Sequence, residues 1–187
     1  MIAGPSGVGK GSVVKELLAR DPGRLVLSMS ATTRPPRAAE ADGVDYAFVS
    51  TNRFEQMVDE GQMLEWASVF DHFYGTPVAS VEAARDGGRD VILEIDVQGA
   101  GQVRDRVDDA ILILLVPPSM EALAERLRGR ATENEEKIAR RLAEAERELA
   151  QADRFDHIVV NDDLETASSQ VAAIIEASRS DSEDPSS

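Results

Sequence analysis

The sequence predicts an α/β protein in which a parallel sheet is flanked by helices. Three observations predict it. Apolar runs of strand length alternate with helical patterns, which is the signature of βαβ units. The run Ile111 to Val116 has no polar alternation, as a strand covered on both faces requires. A glycine-rich loop near the N-terminus opens directly onto a helical pattern. At 187 residues the chain is long enough for one sizeable core and short for two, so a single globular domain over residues 1–177 is expected.

Each element has its own local reason. Only Met1, Ile2 and Ala3 precede the glycine loop, so the first strand reads as truncated: either the natural start lies several codons upstream or the first strand is unusually short. A helix is expected over Ser12 to Ala19. Strands are expected at Leu25 to Met29, Asp90 to Ile95, Ala110 to Val116 and His157 to Val160, with Pro117 and Pro118 ending the third. Between about residues 30 and 77 the pattern shifts to short strands, polar and aromatic residues, and one helix near Asn52 to Glu60. That stretch reads as an insertion carrying a ligand site. Ser119 and Thr76 have the chemistry of helix N-caps, Pro77 fitting the first helical position after Thr76. Thr132, with Glu135 three residues on, forms a capping box for a helix to about Gln151, whose Ile138, Leu142, Ala145 and Leu149 share one face. The polar tail, residues 178–187, is expected to be disordered.

Composition excludes several function classes. With 20 basic and 35 acidic residues, net charge −15, the chain has no broad basic face for nucleic acid or anionic lipid. A polyanionic ligand must therefore be held locally. The absence of cysteine removes disulfide, thiolate and zinc-thiolate chemistry and suits a reducing compartment. The longest strongly apolar run, Ala110 to Val116, is too short to span a bilayer, and no signal peptide pattern is present. A cytoplasmic protein that binds neither membrane nor nucleic acid is expected.

Gly4, Pro5, Ser6, Gly7, Val8, Gly9 and Lys10 satisfy GxxxxGK, a loop whose backbone amides bind phosphate oxygens without help from net charge. Lys10 would follow charge developing on the β and γ phosphates during transfer. Gly11 stands where Ser or Thr is usual, and the hydroxyl comes one residue later as Ser12, the candidate Mg²⁺ ligand. On a proline-stiffened loop, Arg34 and Arg37 form a second phosphate grip, since two guanidiniums can fork one phosphate. Glu65 lies among Met63, Leu64, Trp66 and Val69, where a carboxylate is costly unless it has a partner.

GPSGVGKGS, SATTRPPR, GVDYAF, EW, FYGT, EIDVQG, RLRGRAT, RRL and VVND occur in the order found in guanylate kinases, and the chain resembles that family from Ile2 to about Ala177. The resemblance implies a P-loop kinase fold with a GMP-binding insertion at about residues 30–77 and a mobile lid at about 126–141. It implies transfer of the γ-phosphoryl group of ATP to GMP, with Mg²⁺. Arg34, Arg37, Tyr46 and Tyr74 would hold the GMP phosphate, and Ser30, Glu65, Thr76 and Asp96 would face guanine. Arg126, Arg130 and Arg141 would close over the transferring phosphates with Lys10, while Asn161 matches the position beside adenine and could equally cap the next helix. Ala131 replaces the usual glycine after Arg130. The chemistry agrees: guanine offers N1–H and an amine that carboxylates accept, whereas adenine N1 is an acceptor.

Asp96 is open to two readings, guanine contact and water-mediated placement of Mg²⁺. No histidine base is needed, and His72 and His157 read as surface and strand residues. Two rivals remain at the level of sequence. A P-loop GTPase would use Asp96-Val97-Gln98-Gly99 as DxxG, but NKxD is missing, since Asn161-Asp162-Asp163 lacks the lysine. A catalytically inactive guanylate-kinase-like scaffold would ordinarily carry a degraded nucleotide loop, whereas Lys10 and the lid arginines are present.

Overall fold

The computed structural model describes residues 1–69, 71–129 and 135–183, the side chains of 181–183 excepted. Its elements are β1 (Ile2–Ala3), α1 (Lys10–Arg20), β2 (Leu25–Leu27), β3 (Ala31–Thr32), β4 (Ala47–Phe48), α2 (Thr51–Asp59), β5 (Met63–Val69), β6 (His72–Pro77), α3 (Val78–Asp86) and β7 (Asp90–Ile92). They continue as α4 (Val97–Arg104), β8 (Ile113–Val116), α5 (Met120–Arg128), α6 (Glu135–Leu149), β9 (His157–Val160) and α7 (Leu164–Glu183).

The central sheet is parallel, as the apolar runs predict. β2 pairs with β7, and β1 with β8 and β8 with β9. Ile2 stitches the two groups together: its N–H donates to the Leu93 carbonyl at 2.8 Å, and its carbonyl accepts from the Ile95 N–H at 3.2 Å. The resulting order is β2-β7-β1-β8-β9. Strand parity then sorts the core. Ile92, Ile113, Leu115 and Val159 pack on one face with Val13, Val14 and Leu17 of α1 and Ala167 and Val171 of α7. Leu93 and Ile95 point to the other face, with Val81 of α3 and Val103 of α4.

A second sheet, of order β4-β3-β6-β5, spans Ala31 to Pro77 and has its own core of Ala31, Phe54 and Met63. The half-buried Trp66 joins it, edge-on to Phe73 at 5.9 Å. A third small cluster, Leu123, Leu127, Ile138 and Ala145, holds α5 against α6. Leu149, at the end of α6, packs instead with Ala3, Val97 and Leu114 of the main domain. The face expected from its spacing therefore bridges two clusters.

Several expectations change. Thr76 does not cap a helix. It lies in β6 directly across from Glu65, and its hydroxyl goes to that carboxylate, while Pro77 holds the N-cap position of α3. Ser119 does cap α5, accepting from the Ala122 N–H at 3.1 Å. Thr132 and Arg130 lie outside the described residues; the described part of the following helix, α6, begins at Glu135. The start of the tail is helical rather than disordered, because Arg179 of α7 is tied to Asp21, Asp90 and Glu176. The strands at 25–27, 90–92 and 113–116 are shorter than their apolar runs. Helix α1 starts at Lys10, two residues ahead of expectation.

Candidate functional site

A cleft of about 620 Å³ runs between the two sheets under α6. Gly4, Ser6 and Lys10 line one end, Ser30, Tyr46, Glu65, Tyr74 and Asp96 the other, and Arg141 the roof. Residues distant in sequence thus face one volume.

The glycine loop leads from β1 into α1 with Gly9 at the helix N-cap. Gly9 has φ 101°, and a Cβ there would come within 2.5 Å of Asn161 Nδ2, so both conformation and space demand glycine. Lys10 Nζ donates to the Gly4 carbonyl at 2.5 Å and the Pro5 carbonyl at 3.3 Å. The ammonium is folded over its own loop, within reach of anything the loop amides bind. Pro5, Gly7 and Val8 complete the loop, and Gly11 and Ser12 are exposed in the first turn of α1.

Asn161 is buried, and its Nδ2 donates to the Val8 carbonyl at 2.8 Å. That amide braces the loop from β9. It does not cap α7, where Asp163 accepts from the Thr166 N–H. Arg126 reaches the Val8 carbonyl at 3.4 Å and the Asp162 carbonyl at 3.3 Å. Arg141 donates to Ser6 Oγ at 3.3 Å, which lays α6 across the mouth of the loop.

At the opposite end Glu65 is 3% exposed and accepts from Thr76 Oγ1 at 2.7 Å. Burial pushes its pKa up to about 7, Thr76 partly opposing and Asp96 adding to the rise. Asp96 caps α4, accepting from the Gly99 N–H at 2.9 Å. Arg34 forks Glu40 through both terminal nitrogens, at 2.7 and 3.0 Å, between the rings of Tyr46 and Phe48. Glu40 also accepts from the Arg37 N–H at 2.8 Å, and the hydrogen bond from Arg34 is the main cause of its pKa falling to about 2. The Arg37 side chain is 75% exposed beside them. Tyr46 and Tyr74 meet edge to face at 6.3 Å. Arg34, Arg37 and Thr76 are not among the residues that line the cleft.

Three acids were missed by the sequence reading. Glu40 follows Arg37 by three residues, a spacing that could have marked it as a partner. Glu94 lies between Leu93 and Ile95, and the argument applied to Glu65 applies to it. Its carboxylate reaches within 3.6 Å of where a Gly11 Cβ would stand; burial raises its pKa and Lys10 opposes the rise. Glu148 borders the apolar face of α6. Burial lifts it to about 7, with Lys10 opposing, and its Oε2 has no hydrogen-bond partner.

The arrangement offers a phosphate cradle with a cation at one end, two carboxylates suited to donor-rich bases at the other, and arginines between and above. Known proteins resemble the chain that carries it. Residues 1–178 match the family model described as Guanylate kinase. A guanylate kinase of Thermosynechococcus vestitus is 53% identical over 165 residues, covering 88% of this chain and 86% of that protein. One from Symbiobacterium thermophilum is 46% identical over 179 residues, covering 96% and 84%. The crystal structure of guanylate kinase from Anaplasma phagocytophilum superposes with a TM-score of 0.74 at 32% identity, covering 94% of this chain and 82% of that one. On sequence and fold together, the chain belongs to the guanylate kinase family.

Proposed function

We propose that the cleft holds ATP and GMP phosphate to phosphate, ATP on the glycine loop and GMP against the second sheet. The chain phosphorylates GMP to GDP at the expense of ATP, as its family does. One observation carries the site assignment: a single cavity joins Lys10 to Glu65 and Asp96. It supports in-line attack of a GMP phosphate oxygen on the γ phosphorus with no covalent intermediate.

In this reading Gly4 to Ser12 receive the ATP phosphates, and Lys10 leaves the Gly4 carbonyl for the transferring group. Glu65 and Asp96 accept from guanine, with Ser30 at the cleft wall. Thr76 acts through Glu65. Arg34 and Arg37, with Tyr46 and Tyr74, take the GMP phosphate. Residues 30–77 form the GMP unit, and 126–141 the lid, from which Arg126, Arg130 and Arg141 neutralise the phosphates and exclude water. The bracing of Val8 by Asn161 favours a role in loop geometry for that side chain over direct adenine recognition.

A divalent ion, Mg²⁺ by ligand chemistry, fits this end of the cleft. Among the described residues no three His, Cys, Asp or Glu side chains group around a metal, which suits an ion held largely by phosphates and water. The Ser12 hydroxyl and the Glu94 carboxylate beside Gly11 are hard oxygen donors that could hold it. Held at this end of the cleft, the ion would supply positive charge to offset that of the phosphates. We assign the reaction to the cytoplasm, in keeping with a chain free of cysteine; no helix among the described residues is long and apolar enough to cross a membrane.

The test is ADP release with ATP and Mg²⁺, offering GMP, AMP, CMP and UMP separately. GMP alone should support turnover. Equal use of AMP would overturn the guanine assignment, and GTP hydrolysis without an acceptor would favour the GTPase reading.

A further inference from the structure

Helix α4 and the turn that follows it hold the main chain on both sides of Glu65. Gln102 makes a two-way amide bond with Trp66: its Oε1 accepts from the Trp66 N–H at 3.1 Å, and its Nε2 donates to the Trp66 carbonyl at 2.7 Å. In the turn that follows the helix, Arg106 donates from one terminal nitrogen to the Met63 carbonyl at 2.5 Å and the Leu64 carbonyl at 2.8 Å. These four contacts straddle residue 65. They also coincide with the irregularity in the β5–β6 ladder between Met63 and Glu65, where the ladder itself defines the strand least. Gly99, one turn before Gln102, lets the carboxylate of Glu65 lie against the helix backbone, where a Cβ would collide with Oε2.

The geometry points to Gln102 and Arg106 as positioning residues for guanine selection. They act through the backbone of Glu65 and touch no reacting atom. A bulged strand left to its own ladder can shift its register and turn alternate side chains away. Bonds from α4 and the turn after it remove that freedom and aim the Glu65 carboxylate into the cleft. Asp96 caps the same helix, so both acids assigned to guanine take their placement from α4. The inference rests on the assignment of Glu65 to guanine.

The test is a double-mutant cycle on the full chain, with steady-state kinetics for GMP and ATP. Gln102→Met keeps the length and removes both amide bonds. It should raise KM for GMP roughly three- to tenfold, the scale of one lost hydrogen bond, with kcat and KM for ATP unchanged. Arg106→Met should behave alike. In a Glu65→Gln background the Gln102→Met effect should shrink to less than about twofold, because residues acting through one another are not additive. Gln102→Glu retains the acceptor toward the Trp66 N–H and should restore part of the affinity. An equal rise in KM for ATP, or the same loss in both backgrounds, assigns Gln102 to fold maintenance and overturns the inference. Should Glu65→Gln alone leave KM for GMP unchanged, the guanine assignment itself fails and the inference falls with it. Melting temperatures of each variant separate unfolding from misplacement, since a lowered population of folded enzyme reduces kcat and leaves KM alone.

Discussion

The Thr76 hydroxyl donates to Oε1 of Glu65 at 2.7 Å from directly across the β5–β6 ladder, while Oε2 of the same carboxylate lies against Gly99. One oxygen is fixed by a neighbouring strand and the other faces a helix that has no side chain there. The acid is thereby held at the cleft wall in a dry setting that raises its pKa to about 7.

Guanine affinity should therefore depend on pH. The ionised carboxylate accepts from guanine donors, and the protonated one offers a competing donor. GMP affinity should fall as pH drops below about 7, by at most about tenfold per pH unit, and level off above it. Calorimetric titration from pH 5.5 to 8.5 checks this. Glu65→Gln should bind GMP roughly 1 to 3 kcal/mol more weakly at pH 8, the scale of a hydrogen bond to a charged group. Only the titration of the GMP phosphate itself, near about pH 6, should then remain.

Gly99→Ala should behave as a selective lesion. The added methyl would displace the far end of Glu65 rather than any backbone atom. KM for GMP should rise about tenfold or more while KM for ATP stays put, the outcome expected when a hydrogen bond to a charged group is lost. An unaltered KM for GMP would show that Glu65 moves aside at no cost to recognition.

Lys10→Met should lower kcat by at least about a hundredfold, the effect of removing one donor aimed at developing charge. Its bonds to the Gly4 and Pro5 carbonyls stay within the glycine loop and bridge no distant segments, so melting temperature should change far less than kcat. Single-turnover phosphoryl transfer measured beside thermal unfolding distinguishes the two effects.

Arg34→Lys keeps the charge but loses the planar fork that spans both oxygens of Glu40. KM for GMP should rise roughly tenfold, the scale of a lost bidentate charged contact, with little change for ATP. A normal KM for GMP in this variant would remove Arg34 from the phosphate grip.

Glu148 makes stability depend on pH. Its folded pKa, about 7, lies above the ordinary 4.5, so the folded state holds the proton more tightly. The stability this contributes is complete below about pH 4.5 and is lost as pH rises through about 7. Glu148→Gln should consequently melt higher than the parent protein at pH 8 and no higher at pH 4.5. Calorimetric scans at both values decide it.

Much of the fold was legible because its signals are local. Unbroken apolar runs, a GxxxxGK loop and Ser119 as a cap each declare themselves within a few residues. The two ends of the cleft were legible for the same reason, as residue types whose chemistry matches a phosphate or a donor-rich base. Thr76 was misread as a cap because a hydroxyl before proline looks the same whether its partner is the next turn or the strand opposite. Arg179 was lost in a polar tail because its partners, Asp21 and Asp90, are far away in sequence.

By itself, then, the order of residues determined the parallel sheet, the phosphate loop and the presence of acids and arginines suited to two nucleotides, since those follow from periodicity and functional-group chemistry. Only the tertiary structure decided which oxygen of Glu65 meets Thr76, that Glu40 sits in the fork of Arg34, and that α4 and the turn after it grip β5 through Gln102 and Arg106. Hydrogen bonds between distant segments depend on where packing brings the backbone, and burial, which sets the charge of Glu65, Glu94 and Glu148, exists only once the chain has closed around them.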